Sequence, residues 1–94
     1  MGTAVDGFPN FFIAVGPNTA TGHSSYILGS ENITKYISQI IKPVLRGDAL
    51  YAEARKDAEI RWTKDIQQQL QKTVFSGCAS WHQDANGFNS TMYP

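Results

Sequence analysis

His23-Ser24-Ser25 is the place in this chain where residue types and spacing most plausibly do chemistry. The histidine follows Gly22 at the mouth of a loop of small and polar side chains, Asn18 to Gly22, and two hydroxyls come directly after it. Either serine suits a helix N-cap, and an apolar helical pattern begins at once behind them. A loop ending on a helix N-terminus presents free amides and a positive dipole end, which attract a carboxylate, a phosphate or an electron-rich carbonyl. For His23 itself, capping the helix or bonding a carbonyl weighs more than direct catalysis. His82 and Cys78 invite a nucleophile or metal reading, but no triad partner or ligand set stands near them, so they read as structural. Trp81 differs, because a flat apolar ring with one N–H donor suits the edge of a nucleotide. GPNTATG (residues 16–22) has neither the GxGxxG nor the GxxxxGK spacing, so the loop is no phosphate cradle. Neither catalytic nor metal-ligating residues are assigned.

The loop must be positioned by what precedes and follows it. Asp6-Gly7 and Pro9-Asn10 are turn dipeptides delivering the chain into Phe11-Phe12-Ile13-Ala14-Val15, an evenly apolar run that suits a strand buried on both faces. Gly16-Pro17 must end that strand, because proline lacks a ladder amide. A first helix is expected over about 24–41, with Ile27, Leu28, Ile33, Tyr36, Ile37, Ile40 and Ile41 as its apolar face and Pro43 stopping or kinking it. Gly29 inside this helix costs about 1 kcal/mol against alanine, which suggests close packing on a neighbouring backbone or ligand. Arg46-Gly47 suits a helix C-terminus.

A second helix is expected over about 54–72, where Leu50, Ala54, Ala58, Trp62, Ile66, Leu70 and Val74 recur every four residues. Arg55 with Glu59, Asp57 with Arg61 and Arg61 with Asp65 mark its wet face. Gln67, Gln68, Gln69 and Gln71 read as solvated helix surface. The end of the chain, about 80–93, reads as a hairpin turning at Asp84-Ala85-Asn86-Gly87.

Composition removes several function classes. The 94 residues carry eight basic and eight acidic side chains, so nothing electrostatic argues for nucleic acid or an anionic membrane. The longest apolar run is far short of a membrane span, and a signal-peptide pattern is lacking, which leaves a cytoplasmic expectation. A single cysteine permits no internal disulfide.

Three segments in order carry a resemblance: Gly7-Phe8-Pro9-Asn10-Phe11-Phe12; Gly16-Pro17-Asn18-Thr19 with Gly22-His23-Ser24-Ser25; and Thr73-Val74-Phe75 with Cys78-Ala79-Ser80-Trp81 and Gly87-Phe88-Asn89. Together they resemble the C-terminal portion of class B flavin-dependent monooxygenases, nearest the Baeyer–Villiger branch. The resemblance implies an α+β fragment, residues 1–94, of an α/β flavoprotein with two dinucleotide-binding domains. It also implies FAD and NADP(H) as the family's cofactors, and oxygenation of a ketone or soft heteroatom in a small organic substrate through a C4a-peroxyflavin. By the same resemblance Asn18, Gly22, His23, Ser24 and Ser25 lie towards the flavin and Trp81 towards NADP. His82 and Phe75 depart from the family's usual aromatic choices. The dinucleotide fingerprints, which precede this portion in the family, do not occur here. The missing N-terminal portion is thus an expected partner, and the isolated chain is expected to bind neither cofactor and to be inactive. The competing expectation is a stand-alone helical interaction module, in which the stretch from Leu50 to Val74 packs on a partner.

Overall fold

The computed structural model describes residues 2–77 and 80–94. Cys78, with its structural reading, lies outside them. Two helices dominate, α1 (Tyr26–Leu45) and α2 (Lys56–Leu70), followed by a single 3-10 turn over Val74–Ser76.

The expected strand at 11–15 does not form. Asn10 and Val15, which bracket it, take φ of 59° and 58°, left-handed values that interrupt extended backbone. The amides of the run go to local or N-terminal carbonyls instead: Phe11 donates to Phe8 at 3.3 Å and Ile13 to Thr3 at 2.8 Å. An apolar strand needs neighbouring strands to satisfy its backbone, and the described residues supply none. Phe11 is left half exposed. The expected hairpin at 80–93 is likewise reduced to one antiparallel bridge, Gln83 to Asn89, around the Asp84–Gly87 turn. Asp84 Oδ1 closes that turn by accepting from the amides of Asn86 and Phe88, and Gly87 takes the positive φ that an Asn-Gly pair favours. The architecture among the described residues is therefore helices and ordered loops rather than α+β.

α1 starts where the hydroxyls stand: Ser25 is the N-cap, its Oγ accepting from Leu28 N at 3.4 Å. The helix runs four residues past the expected end, because Pro43 falls in its last turn and leaves only one helical acceptor without its donor. Termination comes instead from Arg46-Gly47, with Gly47 at φ 82° and its amide on Val44 O. α2 begins two residues later than expected and ends two earlier. Among the expected ion pairs the i,i+4 pair Asp57–Arg61 forms, at 3.2 Å, and Asp57 also takes Arg55 at 3.0 Å. Slight desolvation works against the Asp57 carboxylate, but the Arg55 hydrogen bond and the two guanidinium charges hold its pKa below the ordinary 3.8.

The core is small. Ile66, Leu70 and Met92 are buried, with Ala20, Trp62 and Phe75 packed on them. The four-residue stripe thus buries only its later helical part, while Leu50 and Val74 outside α2 stay exposed. The N-terminal turn is tied to the region around α2 by polar contacts. Glu59 Oε2 accepts from Asp6 N at 2.6 Å, Glu53 Oε1 from Gly7 N at 2.9 Å, and Asn10 exchanges two bonds with Ala52. α1 buries none of its residues.

Candidate functional site: the loop at the head of the first helix

The loop 16–22 is held from behind. Asn18 sits at φ 53° and is buried, and its Nδ2 donates to Asn89 O at 2.7 Å and Met92 O at 2.9 Å. Its backbone amide donates to Ser90 O, Ala20 N to Thr91 O, and Tyr93 N back to Ala20 O, forming one parallel bridge between the loop and the C-terminal tail. Thr19 Oγ1 closes the turn on Gly16 O at 2.6 Å.

The anchor of this arrangement is Asn89, buried to 2% exposure. Its Oδ1 accepts from the amides of Thr91 and Met92, its Nδ2 meets His82 Nδ1 at 3.2 Å, and its carbonyl accepts from both Asn18 and Gln67. Gln67 completes the exchange by accepting from Asn89 N at 3.1 Å. Residue 67 therefore does not belong to the solvated surface expected for the glutamine cluster; it is the α2 side of the lock. The sequence marks Asn89 only as the end of the Gly87-Phe88-Asn89 motif and not as a lock, because its partners in α2 and the loop lie 22 and 71 residues away.

Ahead of this lock the expected site residues are open. Gly22, His23, Ser24 and Ser25 are exposed, and α1 begins at Tyr26, immediately behind them. Ser24 Oγ pairs with Thr21 Oγ1 at 2.9 Å, and the cap bond uses the Leu28 amide. The amides at the start of a helix have no intrahelical acceptor, so the corner presents N–H donors together with two hydroxyls. Trp81 is 83% exposed. It connects to the loop through aromatic contacts: its ring lies 5.6 Å from that of His82, which meets Phe75 edge-on at 5.9 Å, and Phe75 lies against Gly22. Asn18 is the exception among the expected site residues, since both its amide hydrogens are spent on carbonyls of the tail.

Below the corner a cleft of about 880 Å³ separates α1 from the segment leading into α2. Its lining includes Asn18 and Ser24 of the loop, Ile33 and Tyr36 of α1, and Ala58 and Trp62 of α2. The donors at the head of α1 fit the carbonyl edge of a flavin. Nothing among the described residues offers a glycine turn for its pyrophosphate. No group of three or more metal-ligating side chains comes together among the described residues, and no helix is long and apolar enough to cross a membrane.

Comparison with known proteins places the chain. It is 38% identical over 96 residues to a Baeyer-Villiger monooxygenase of Streptomyces coelicolor, a match covering 99% of this chain and 18% of that protein. A Baeyer-Villiger monooxygenase of Pseudomonas aeruginosa matches at 34% identity with the same coverage. Cyclohexanone 1,2-monooxygenase of Acinetobacter matches at 30%, over 99% of this chain and 17% of the relative. The chain thus spans less than a fifth of the length of these curated relatives. No family model and no solved structure matches it.

Proposed function

This chain belongs with the Baeyer–Villiger and FAD-binding monooxygenases, of which it represents one stretch, and we propose that it is the C-terminal part of a flavin- and NADPH-dependent enzyme that oxygenates a ketone or soft heteroatom. The observation that carries the proposal is similarity along 99% of the chain. The open corner at the head of α1 gives that similarity a physical role.

The flavin would supply the oxygen-transfer chemistry. This chain's part is to orient and to stabilise charge. The amides at the head of α1, with the Ser24 and Ser25 hydroxyls beside them, would hold the carbonyl edge of the flavin and would favour negative charge there by the helix dipole and by hydrogen bonding. His23 stands at the same corner as a further donor. Asn18 acts from behind, holding the loop on the tail so that these donors keep their places, and Gly22 lies beside the Phe75 ring. Trp81 offers an exposed ring and one N–H to NADP.

The isolated chain does neither job. Among the described residues no glycine turn cradles a pyrophosphate, and the three apolar side chains buried among them hold little besides the loop. That small core also weighs against a stand-alone interaction module.

The test is a chimera in which the 96 matched residues of the Streptomyces coelicolor relative are replaced by this chain. The purified chimera is expected to be yellow with stoichiometric FAD and to oxidise NADPH faster when a ketone is added, while the 94-residue chain alone is colourless. A colourless chimera, or stoichiometric flavin on the isolated chain, overturns the reading.

A further inference from the structure

Of the five asparagines, only Asn86 is followed by glycine. An asparagine carboxamide and the backbone nitrogen of the next residue stand the right number of bonds apart to close a five-membered imide ring, and glycine has no side chain to hinder the approach. Asn86 and Gly87 are both exposed, so water and hydroxide reach the reacting atoms. Asn89, followed by serine, is the contrast. At 2% exposure its Oδ1 accepts from the Thr91 and Met92 amides and its Nδ2 meets His82, so its carboxamide is not free to turn.

The turn that presents Asn86 also restrains it. Gly87 N, the atom that would attack, donates to Asp84 O at 3.0 Å. Asp84 Oδ1 accepts from Asn86 N at 2.8 Å and from Phe88 N at 2.9 Å. Three successive backbone N–H groups therefore end on one residue, and ring closure requires the middle one to leave it and give up its proton.

We infer that Asn86-Gly87 is a site of spontaneous deamidation, that the oxygens of Asp84 restrain it, and that its conversion releases the lock at Asn89. Gly87 N loses its proton to hydroxide and attacks Asn86 Cγ. The N–Cγ bond forms, the Cγ–Nδ2 bond breaks, and the departing nitrogen takes a proton from water and leaves as ammonia, which regenerates the hydroxide. Water then opens the cyclic imide. Attack at Cγ gives aspartate, and attack at the main-chain carbonyl carbon gives isoaspartate, with the chain now running through Cγ. One water is consumed, one ammonia is released and no electrons are exchanged.

Isoaspartate adds one carbon to the main chain between residues 86 and 87. Asp84 Oδ1 then no longer spans the two amides on either side of the insertion, and the Gln83–Asn89 bridge flanking the turn loses its register. With it goes the fixed position from which Asn89 holds the loop and Gln67. None of this depends on the flavin reading.

The test incubates the 94-residue chain and its Asp84→Ala and Asp84→Asn variants at neutral pH, in buffer and in urea. Peptide mass spectrometry follows conversion at each asparagine, and electron-transfer fragmentation separates aspartate from isoaspartate. In buffer Asn86 is expected to convert about tenfold more slowly than in urea, the factor that roughly 1.4 kcal/mol of turn hydrogen bonding supplies. Asp84→Ala is expected to raise the rate in buffer to the rate in urea, with the helical circular dichroism unchanged. Asp84→Asn keeps the Oδ1 acceptor and is expected to stay within about threefold of the parent. Equal rates for the parent in buffer and urea overturn the restraint, as does an Asp84→Asn rate equal to that of Asp84→Ala. If Asp84→Ala loses its helical signal, Asp84→Asn against the parent in urea decides the matter. Conversion of Asn89 as fast as Asn86 in buffer overturns the site, and aspartate without isoaspartate overturns the imide route. The isoaspartyl form carries one more negative charge than the formally neutral parent and is isolated by ion exchange. Its urea midpoint is expected to fall below that of the unmodified chain; an equal midpoint overturns the release of the lock.

Discussion

Replacing Asn89 with alanine removes the lock between the loop, α2 and the tail, and the size of the loss follows from its contacts. Three side-chain interactions disappear: those from the amides of Thr91 and Met92 to Oδ1 and the one between Nδ2 and His82. The Met92 amide is the worst left, because its residue is buried and no water reaches it easily. Each ordinary hydrogen bond contributes about 1 kcal/mol net, and a buried donor left without an acceptor costs about 1–3 kcal/mol. The expected loss is therefore about 3 kcal/mol, a large share of the roughly 5–15 kcal/mol that holds a small domain together. Urea titration of the isolated chain, followed by tryptophan fluorescence through Trp62 beside the core, measures it. The midpoint should fall with little change in slope, while Asn32→Ala, at an exposed helix position, should stay within about 0.5 kcal/mol of the parent. An Asn89→Ala chain as stable as the parent would refute the lock, and with it the account of how the loop is held.

Two further outcomes are expected of the isolated chain. Gly29→Ala should raise its stability by about 1 kcal/mol, seen as a higher urea midpoint, because the added methyl meets open space and the helix gains propensity. Asp57→Asn should lower the thermal midpoint at pH 7 and lose that effect in acid. The folded carboxylate titrates below its ordinary value, so its contribution is complete above the unfolded pKa and disappears as pH falls through the folded one. Thermal scans from pH 7 down to pH 2 should show the two proteins converging below about pH 4; a constant gap would contradict the assignment.

The sequence by itself determined what local spacing can carry. Ser25 before an apolar periodic run sets the head of α1, Arg46-Gly47 its end, Asp57 with Arg61 the wet side of α2, and Asn86-Gly87 the last turn, since each signal acts within one helical turn or one tight bend. The ordered motifs from Gly7 to Asn89 also carried the monooxygenase kinship that comparison with relatives bears out. Only the tertiary structure decided the rest. Phe11 to Val15 is apolar enough for a buried strand, but a strand exists only beside others, and without them the backbone turns on itself at Asn10 and Val15. The family resemblance set Asn18 towards the flavin, and only the tertiary structure showed that its side-chain amide donates to carbonyls more than 70 residues away. Gln67 and Asn89 carry no periodic signature, for a buried hydrogen-bond exchange between a helix and a distant tail depends on distances that chain order does not record.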